Sequence, residues 1–283
     1  MTVLAPASLD AALRALAEHP DAHVLAGGTD FMVEVNAGHR RPEAVVAIGR
    51  VPELRGWAFD PENGVVSIGA ATTYTELMTA PLAARFPALA DAARAVGSPQ
   101  IRHAGTLGGN LGTCSPAGDT LPVLSALDAV IELASTSGRR TLSIHEFMVG
   151  VKRTALRPGE LVARIDLPVI EDGWQGFAKV GVRNAMVISS SSACLVLDRP
   201  RRRVAIALGA VGPTIIRARD AETWIAGRID WPHLTVERPV AEEFGRLVAA
   251  AARPIDDHRS TAAYRRHSIA VLGERLLLRA ARP

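Results

Sequence analysis

The chain has 283 residues, 48% of them apolar, which suffices for buried cores in roughly two domains at ~150 residues each and excludes a disordered chain. Its formal net charge is only +3, with 32 basic residues against 29 acidic ones, so the charge balance gives no reason to expect nucleic acid. Cys114 and Cys194 stand far apart in no C-x-x-C pair, which argues against a zinc site or an iron–sulfur cluster housed by this chain alone and suggests reduced thiols in a cytoplasmic protein.

From the N-terminus, SLDAALRALAEHP places Leu9, Ala12, Leu13 and Leu16 at helical spacing, with Ser8 as N-cap. It is not a signal peptide, and no apolar run reaches the ~18 residues of a membrane span. AHVLAGG reads as a short buried strand entering a glycine turn, and TDFMVEVNAG as a short helix or turn ending near Gly38. AVVAIG is a second apolar strand, and GVVSIGAATTYTEL a strand and a helix capped near Thr72 or Thr73 with Glu76 in its first turn. APLAARFPALADAARAVG is helical apart from its prolines. A glycine-rich loop, GTLGGNLGTCSPAGD, follows, then an apolar helix and strand in LPVLSALDAVIELAS. ELVARIDLPV gives a strand closing at Pro168, and DRPRRRVAIALGAVGPTIIRA a hairpin turning at Pro200. A domain change falls near residues 169 to 176, and the tail from Asp220 is mainly helical.

Neither the Rossmann fingerprint nor the Walker loop is present to explain the glycines. Two glycine turns, VLAGGTDF and the segment from Gly105 to Asp119, could each expose successive backbone N–H groups to an anion, because glycine permits φ > 0 and close backbone approach. One hydrogen bond to a charged group contributes on the order of 1.5 to 3 kcal/mol, so several amides from two loops could hold a diphosphate without a cation. Thr29, Thr106, Thr113, Ser115 and Asn110 add polar side chains, whereas Asp30 and Asp119 suit ligand hydroxyls or helix capping. A tight connection without ligand is the competing reading of either turn.

Other features carry less. His103 and His145 are isolated, and Val149 stands where H-E-x-x-H needs its second histidine. Arg199, Arg201, Arg202 and Arg203 form a solvated hairpin tip, Ser189 to Ser192 a packed polar segment, and Tyr74 a core or helix-surface ring. Lysine occurs only at Lys152 and Lys179, which singles both out.

VLAGGTDF, GRVPELRG, IGAATTYTEL, GSPQIRHAGTLGGNLGTCSPAGDTLPVLSALDA, EFMVGVKRTALRPGELVARIDLP and FAKVGVRNAM together resemble the FAD-binding medium subunit of molybdenum hydroxylases, the group of the carbon monoxide dehydrogenase medium subunit and the xanthine dehydrogenase FAD-binding domain. The resemblance spans the chain and implies an α+β fold. A two-lobed vanillyl-alcohol-oxidase (PCMH) type FAD-binding domain would occupy residues 1–172, with lobes of about 1–55 and 56–172. A smaller C-terminal domain with a three-stranded antiparallel sheet and a helical bundle would occupy residues 173–283.

The resemblance further implies that FAD, held noncovalently, contacts Val24, Leu25, Ala26, Gly27, Gly28, Thr29, Asp30 and Phe31 in the first loop. In the second it implies Thr106, Gly109, Asn110 and Thr113, with Asp119, an apolar contact at Leu161, and Lys179. Such a subunit has no catalytic or metal-ligating residues of its own. It would pass electrons from partner iron–sulfur clusters through FAD to an external acceptor, beside a large molybdenum-pterin subunit and a small iron–sulfur subunit in a dimer of heterotrimers. Two other readings stand beside it: a self-sufficient flavin reductase resembling UDP-N-acetylenolpyruvoylglucosamine reductase, and a subunit-joining scaffold without cofactor.

Overall fold

The computed structural model describes residues 1–281, which divide into two compact units interleaved along the chain. The first unit comprises Met1–Leu77, Ser98–Cys114 and Asp128–Pro168, and the second Met78–Gly97, Ser115–Leu127 and the chain from Val169.

In the first unit, a three-stranded parallel sheet places Ala44–Ala47 between Thr2–Leu4 and His23–Leu25. The central strand is continuously apolar, Ala-Val-Val-Ala, with Val45 and Val46 fully buried. The helix Leu9–Glu18 covers this sheet with Leu9, Ala12, Leu13 and Leu16, and the Ser8 hydroxyl accepts from the Ala11 amide at its start. The strand His23–Leu25 is an edge strand, and Val24 is 38% exposed. The buried strand expected there is therefore corrected: one flank has no neighbouring strand, and only three residues pair.

A five-stranded antiparallel sheet completes the first unit, in the order Trp57–Asp60, Val65–Gly69, Leu161–Pro168, Val130–Ser135, Gly138–Ser143. A bulge between Val162 and Arg164 breaks the alternation of the central strand, so Leu161, Val162 and Ala163 are all buried in succession. A two-stranded hairpin, Met148–Gly150 with Arg153–Thr154, turns at Lys152.

The expected glycine-rich loop, Gly105 to Asp119, is helical over Leu107–Thr113 and irregular beyond it. Pro99–Ala104 and Leu107–Thr113 are two short helices, the second starting at an N-cap where the Thr106 hydroxyl accepts from Gly109 N at 3.0 Å. Leu107 and Leu111, one turn apart and fully buried, hold its inner face. Tertiary contacts override glycine's poor helix propensity here, as discussed below.

The second unit has an antiparallel sheet of three long strands, Gly173–Val180, Ser191–Asp198 and Arg203–Gly209, extended by the two-residue strand Ile216–Arg217. All eight residues of Ser191–Asp198 are buried, and Ser189 and Ser190 just before it are also inside. The helices Arg219–Ala226, Arg238–Ala251 and Ala262–Ala280 enclose one core with the sheet. Two helices from earlier in the chain, Pro87–Ala95 and Thr120–Ala126, pack on the same sheet, and every residue of the latter is buried. None of the described helices is long and apolar enough to cross a membrane.

Candidate functional site

A cleft of about 360 Å³ lies wholly within the first unit. Its walls are the two glycine segments, and steric necessity explains their pairing. Gly27 passes directly over the Ala104–Gly105 peptide, so a Cβ at Gly27 would collide with the Ala104 carbonyl and the Gly105 amide. A Cβ at Gly105 would strike the Tyr74 ring at 2.7 Å, and one at Gly108 would fall on Ala70 backbone and side-chain atoms at 2.5 to 2.9 Å. Gly28 turns the chain at φ +73°, a conformation that glycine alone adopts without penalty.

The two segments differ in what they offer a ligand. Among the described residues, no group accepts a hydrogen bond from the N–H of Gly27, Gly28, Thr29 or Asp30. These four successive donors sit on the turn before the helix Phe31–Asn36. By contrast, the first amides of Leu107–Thr113 are already engaged. Leu107 N donates to Thr72 O at 3.0 Å, Gly108 N to Ala70 O at 2.8 Å, Gly109 N to the Thr106 hydroxyl, and Asn110 N to Thr106 O at 3.0 Å. The expectation of two amide cradles is corrected to one. The second segment instead contributes a helix face opened by glycine: Gly109 and Gly112 line the cleft three residues apart, beside Asn110 and Thr113, and a Cβ at Gly112 would meet nothing within 4 Å.

The cleft gathers most of the residues singled out in the sequence. Val24, Leu25, Ala26, Gly27, Gly28, Thr29, Asp30, Phe31, Thr106, Gly109, Asn110, Thr113 and Leu161 all line it. Asp30 accepts from the Thr113 hydroxyl at 3.0 Å, which joins the two walls. Leu161, at the head of its strand, is 1% exposed. Asp119 and Lys179 belong to the second unit and pair with each other at 2.6 Å. All three Lys179 protons are used, the others by Ala95 O and Val187 O at 3.0 Å each, and Asp119 also accepts from the Ser189 hydroxyl at 2.5 Å. Burial pushes the Asp119 carboxyl above the usual carboxylate range against the opposing pull of Lys179 and Ser189.

Sequence reasoning missed a polar rim made of His23, Glu34, Arg40, Lys152 and Glu160. Glu34 takes Lys152 Nζ on one oxygen at 2.8 Å and Arg40 on the other at 2.7 Å. These partners, Lys152 foremost, hold its carboxyl below the usual glutamate range. The Arg40 guanidinium lies 5.4 Å from the Phe31 ring centroid, and His23 meets the same ring edge-on at 5.9 Å. Burial, assisted by Arg40 and opposed by Glu34, keeps the His23 imidazole below its ordinary value. Glu160 is gripped by Arg140 at 2.7 Å, which depresses its carboxyl in turn. Only the scarcity of lysine marked any of these, at Lys152.

A cleft with unpartnered amides on one wall, a glycine-opened helix face on the other, and Glu34 and Glu160 already neutralised by arginine or lysine fits an anionic dinucleotide. The comparisons with known proteins agree. Residues 1–170 match the family described as the FAD binding domain in molybdopterin dehydrogenase, and residues 177–280 the CO dehydrogenase flavoprotein C-terminal domain. The glyceraldehyde dehydrogenase medium chain of Sulfolobus acidocaldarius is 30% identical, over 94% of this chain and 92% of that one. The carbon monoxide dehydrogenase medium chain of Hydrogenophaga pseudoflava is 29% identical, over 92% and 90%. The solved structure of quinoline 2-oxidoreductase from Pseudomonas putida 86 superposes with a TM-score of 0.91 at 26% identity, covering 99% of this chain and 96% of that one.

Proposed function

This chain belongs to the FAD-binding medium subunits of molybdenum hydroxylases and is an oxidoreductase subunit, and on that premise we propose that it carries electrons from partner iron–sulfur clusters through noncovalent FAD to an external acceptor. The partners proposed are a large molybdenum-pterin subunit and a small iron–sulfur subunit, arranged as a dimer of heterotrimers in the cytoplasm. The flavin-binding part is taken to run over residues 1–172 and the C-terminal domain over 173–283.

The observation that carries this reading is the run of four free amides at Gly27 to Asp30 facing the glycine-opened helix face at Gly109 and Gly112. We assign the diphosphate to those amides, where each charge-assisted bond is worth on the order of 1.5 to 3 kcal/mol. Thr29, Thr106, Asn110 and Thr113 supply hydroxyl and amide contacts, the Asp30 carboxylate accepts from a ligand hydroxyl, and Val24, Leu25, Ala26, Phe31 and Leu161 exclude water from the rings. Asp119 and Lys179 join this set through the family resemblance alone, because each spends its hydrogen bonds within the second unit. Bound FAD supplies a centre that accepts electrons singly from a cluster and releases them in pairs.

The test is direct. Purified chain is expected to take up FAD with a perturbed flavin absorbance, and acid precipitation is expected to leave all the flavin in the supernatant. His23 makes the second half informative, since an imidazole lies in the cleft wall. Unchanged absorbance on titration sinks the cofactor assignment; flavin retained in the pellet sinks noncovalent binding. Native complex isolated without molybdenum or iron, together with turnover by this chain alone, refutes the electron-transfer role and favours a self-sufficient reductase.

A further inference from the structure

Two side-chain bonds cross the cleft between segments distant in sequence. Thr113 donates to Asp30, and Lys152 Nζ reaches Glu34 at 2.8 Å across a separation of 118 residues. Lys152 is placed for this by its backbone. It sits at the hairpin turn with φ 52°, left-handed for a residue with a side chain, and its amide donates to Cys114 O at 3.1 Å. Its stem is thereby fixed to the end of the glycine-opened helix. Glu34 is held from the other side: Arg40, stacked on Phe31, binds the carboxylate oxygen that Lys152 does not.

We propose that the Glu34–Lys152 ion pair, with the Asp30–Thr113 bond beside it, is a latch that ties the two walls of the cleft and sets the rate at which a dinucleotide enters and leaves. The proposal rests on the FAD reading above and deepens it. Its parts have unequal mobility. Glu34 keeps a cation and an orientation when the latch opens, because Arg40 stays, so only the Lys152 ammonium has to move. That side chain is 56% exposed, which leaves the bond open to competition from water and ions. An exposed ion pair is weak, so the latch is expected to alter exchange rates by about two- to five-fold and not by orders of magnitude. A Lys152 that instead gripped the ligand directly would slow release without slowing entry.

The experiment uses the full chain and FAD, following uptake by quenching of flavin fluorescence and release by its recovery on dilution. Lys152→Met and Glu34→Gln are each expected to raise both rates about two- to five-fold with a smaller change in Kd, and the double variant to do no more than either alone. Added salt should bring wild-type rates toward those of the variants. Unchanged rates, faster release without faster entry, or additive effects of the two substitutions each overturn the latch while leaving FAD binding intact. Wild-type chain that takes up no FAD refutes the premise, and the latch with it.

Discussion

Replacing Lys179 by methionine keeps most of the side-chain volume and removes the ammonium paired with Asp119. The carboxylate is 7% exposed and would retain only the Ser189 hydroxyl, while Ala95 O and Val187 O would lose a donor. Removing one partner of a buried ion pair costs about 3–5 kcal/mol, and at roughly 2–4 °C per kcal/mol for a chain of this size Tm should fall by about 6–20 °C. The orphaned carboxyl relieves its penalty by taking a proton. Its folded pKa, already above its unfolded value, rises further without the lysine, so the deficit grows as pH rises and shrinks as pH falls toward the ordinary carboxylate range. Chemical denaturation followed by tryptophan fluorescence suits the measurement, because Trp174, Trp224 and Trp231 all lie in the second unit, Trp174 on the same strand as Lys179. Adding Asp119→Asn should recover more than half of the loss. A single-variant deficit below about 1 kcal/mol, or a double variant that simply sums the two effects, would refute the claim that this pair is a coupled element of the fold.

Gly112→Ala and Gly108→Ala should separate ligand binding from folding. The first adds a methyl to open cleft and should leave Tm unchanged or slightly raised, by up to ~1 kcal/mol of helix propensity, while weakening FAD binding in a flavin titration. The second drives a methyl into Ala70 backbone and should lower Tm even without flavin. Thr106→Ala removes the cap on Gly109 N and should cost about 1 kcal/mol in denaturant unfolding, more than Thr113→Ala. Glu160 has a depressed carboxyl, so its contribution is present at neutral pH and is lost as pH falls from the ordinary glutamate value of about 4.3 on through the lower folded value. Glu160→Gln should flatten that part of the acid limb in a pH series of thermal melts; an unchanged limb would mean that the Arg140 pair adds nothing to stability.

Local structure was legible where local chemistry decides it. Ser8 and the spacing of Leu9, Ala12, Leu13 and Leu16 define their helix without help, and Thr73 with Glu76 forms the expected cap, Thr73 N donating to the Glu76 carboxylate at 2.7 Å. The hairpin at Pro200 is equally local. The glycine segment misled because its helix is held from outside: by Leu107 and Leu111 in the core, and by backbone bonds from Leu107 and Gly108 to Thr72 and Ala70. Those acceptors lie far back in the chain, and no propensity scale registers them. The same long-range bonds consume the amides that sequence reasoning had reserved for phosphate. The rim residues were silent for a related reason, since Glu34, Arg40 and Glu160 look like ordinary surface charges until folding places them against their partners.

The interleaving of the two units bears on how this protein can be cut. A fragment ending near residue 170 contains the whole cleft, yet it also contains Pro87–Ala95 and Thr120–Ala126, whose packing partners are strands that begin at Gly173. Truncation there would leave the wholly buried face of Thr120–Ala126 bare, with Leu121, Val123 and Leu124 in water. A flavin-binding fragment made that way would be expected to aggregate for reasons unrelated to flavin. A sound minimal version would excise those two helices along with the C-terminal part, bridging Leu77 to Ser98 and Cys114 to Asp128 with short linkers.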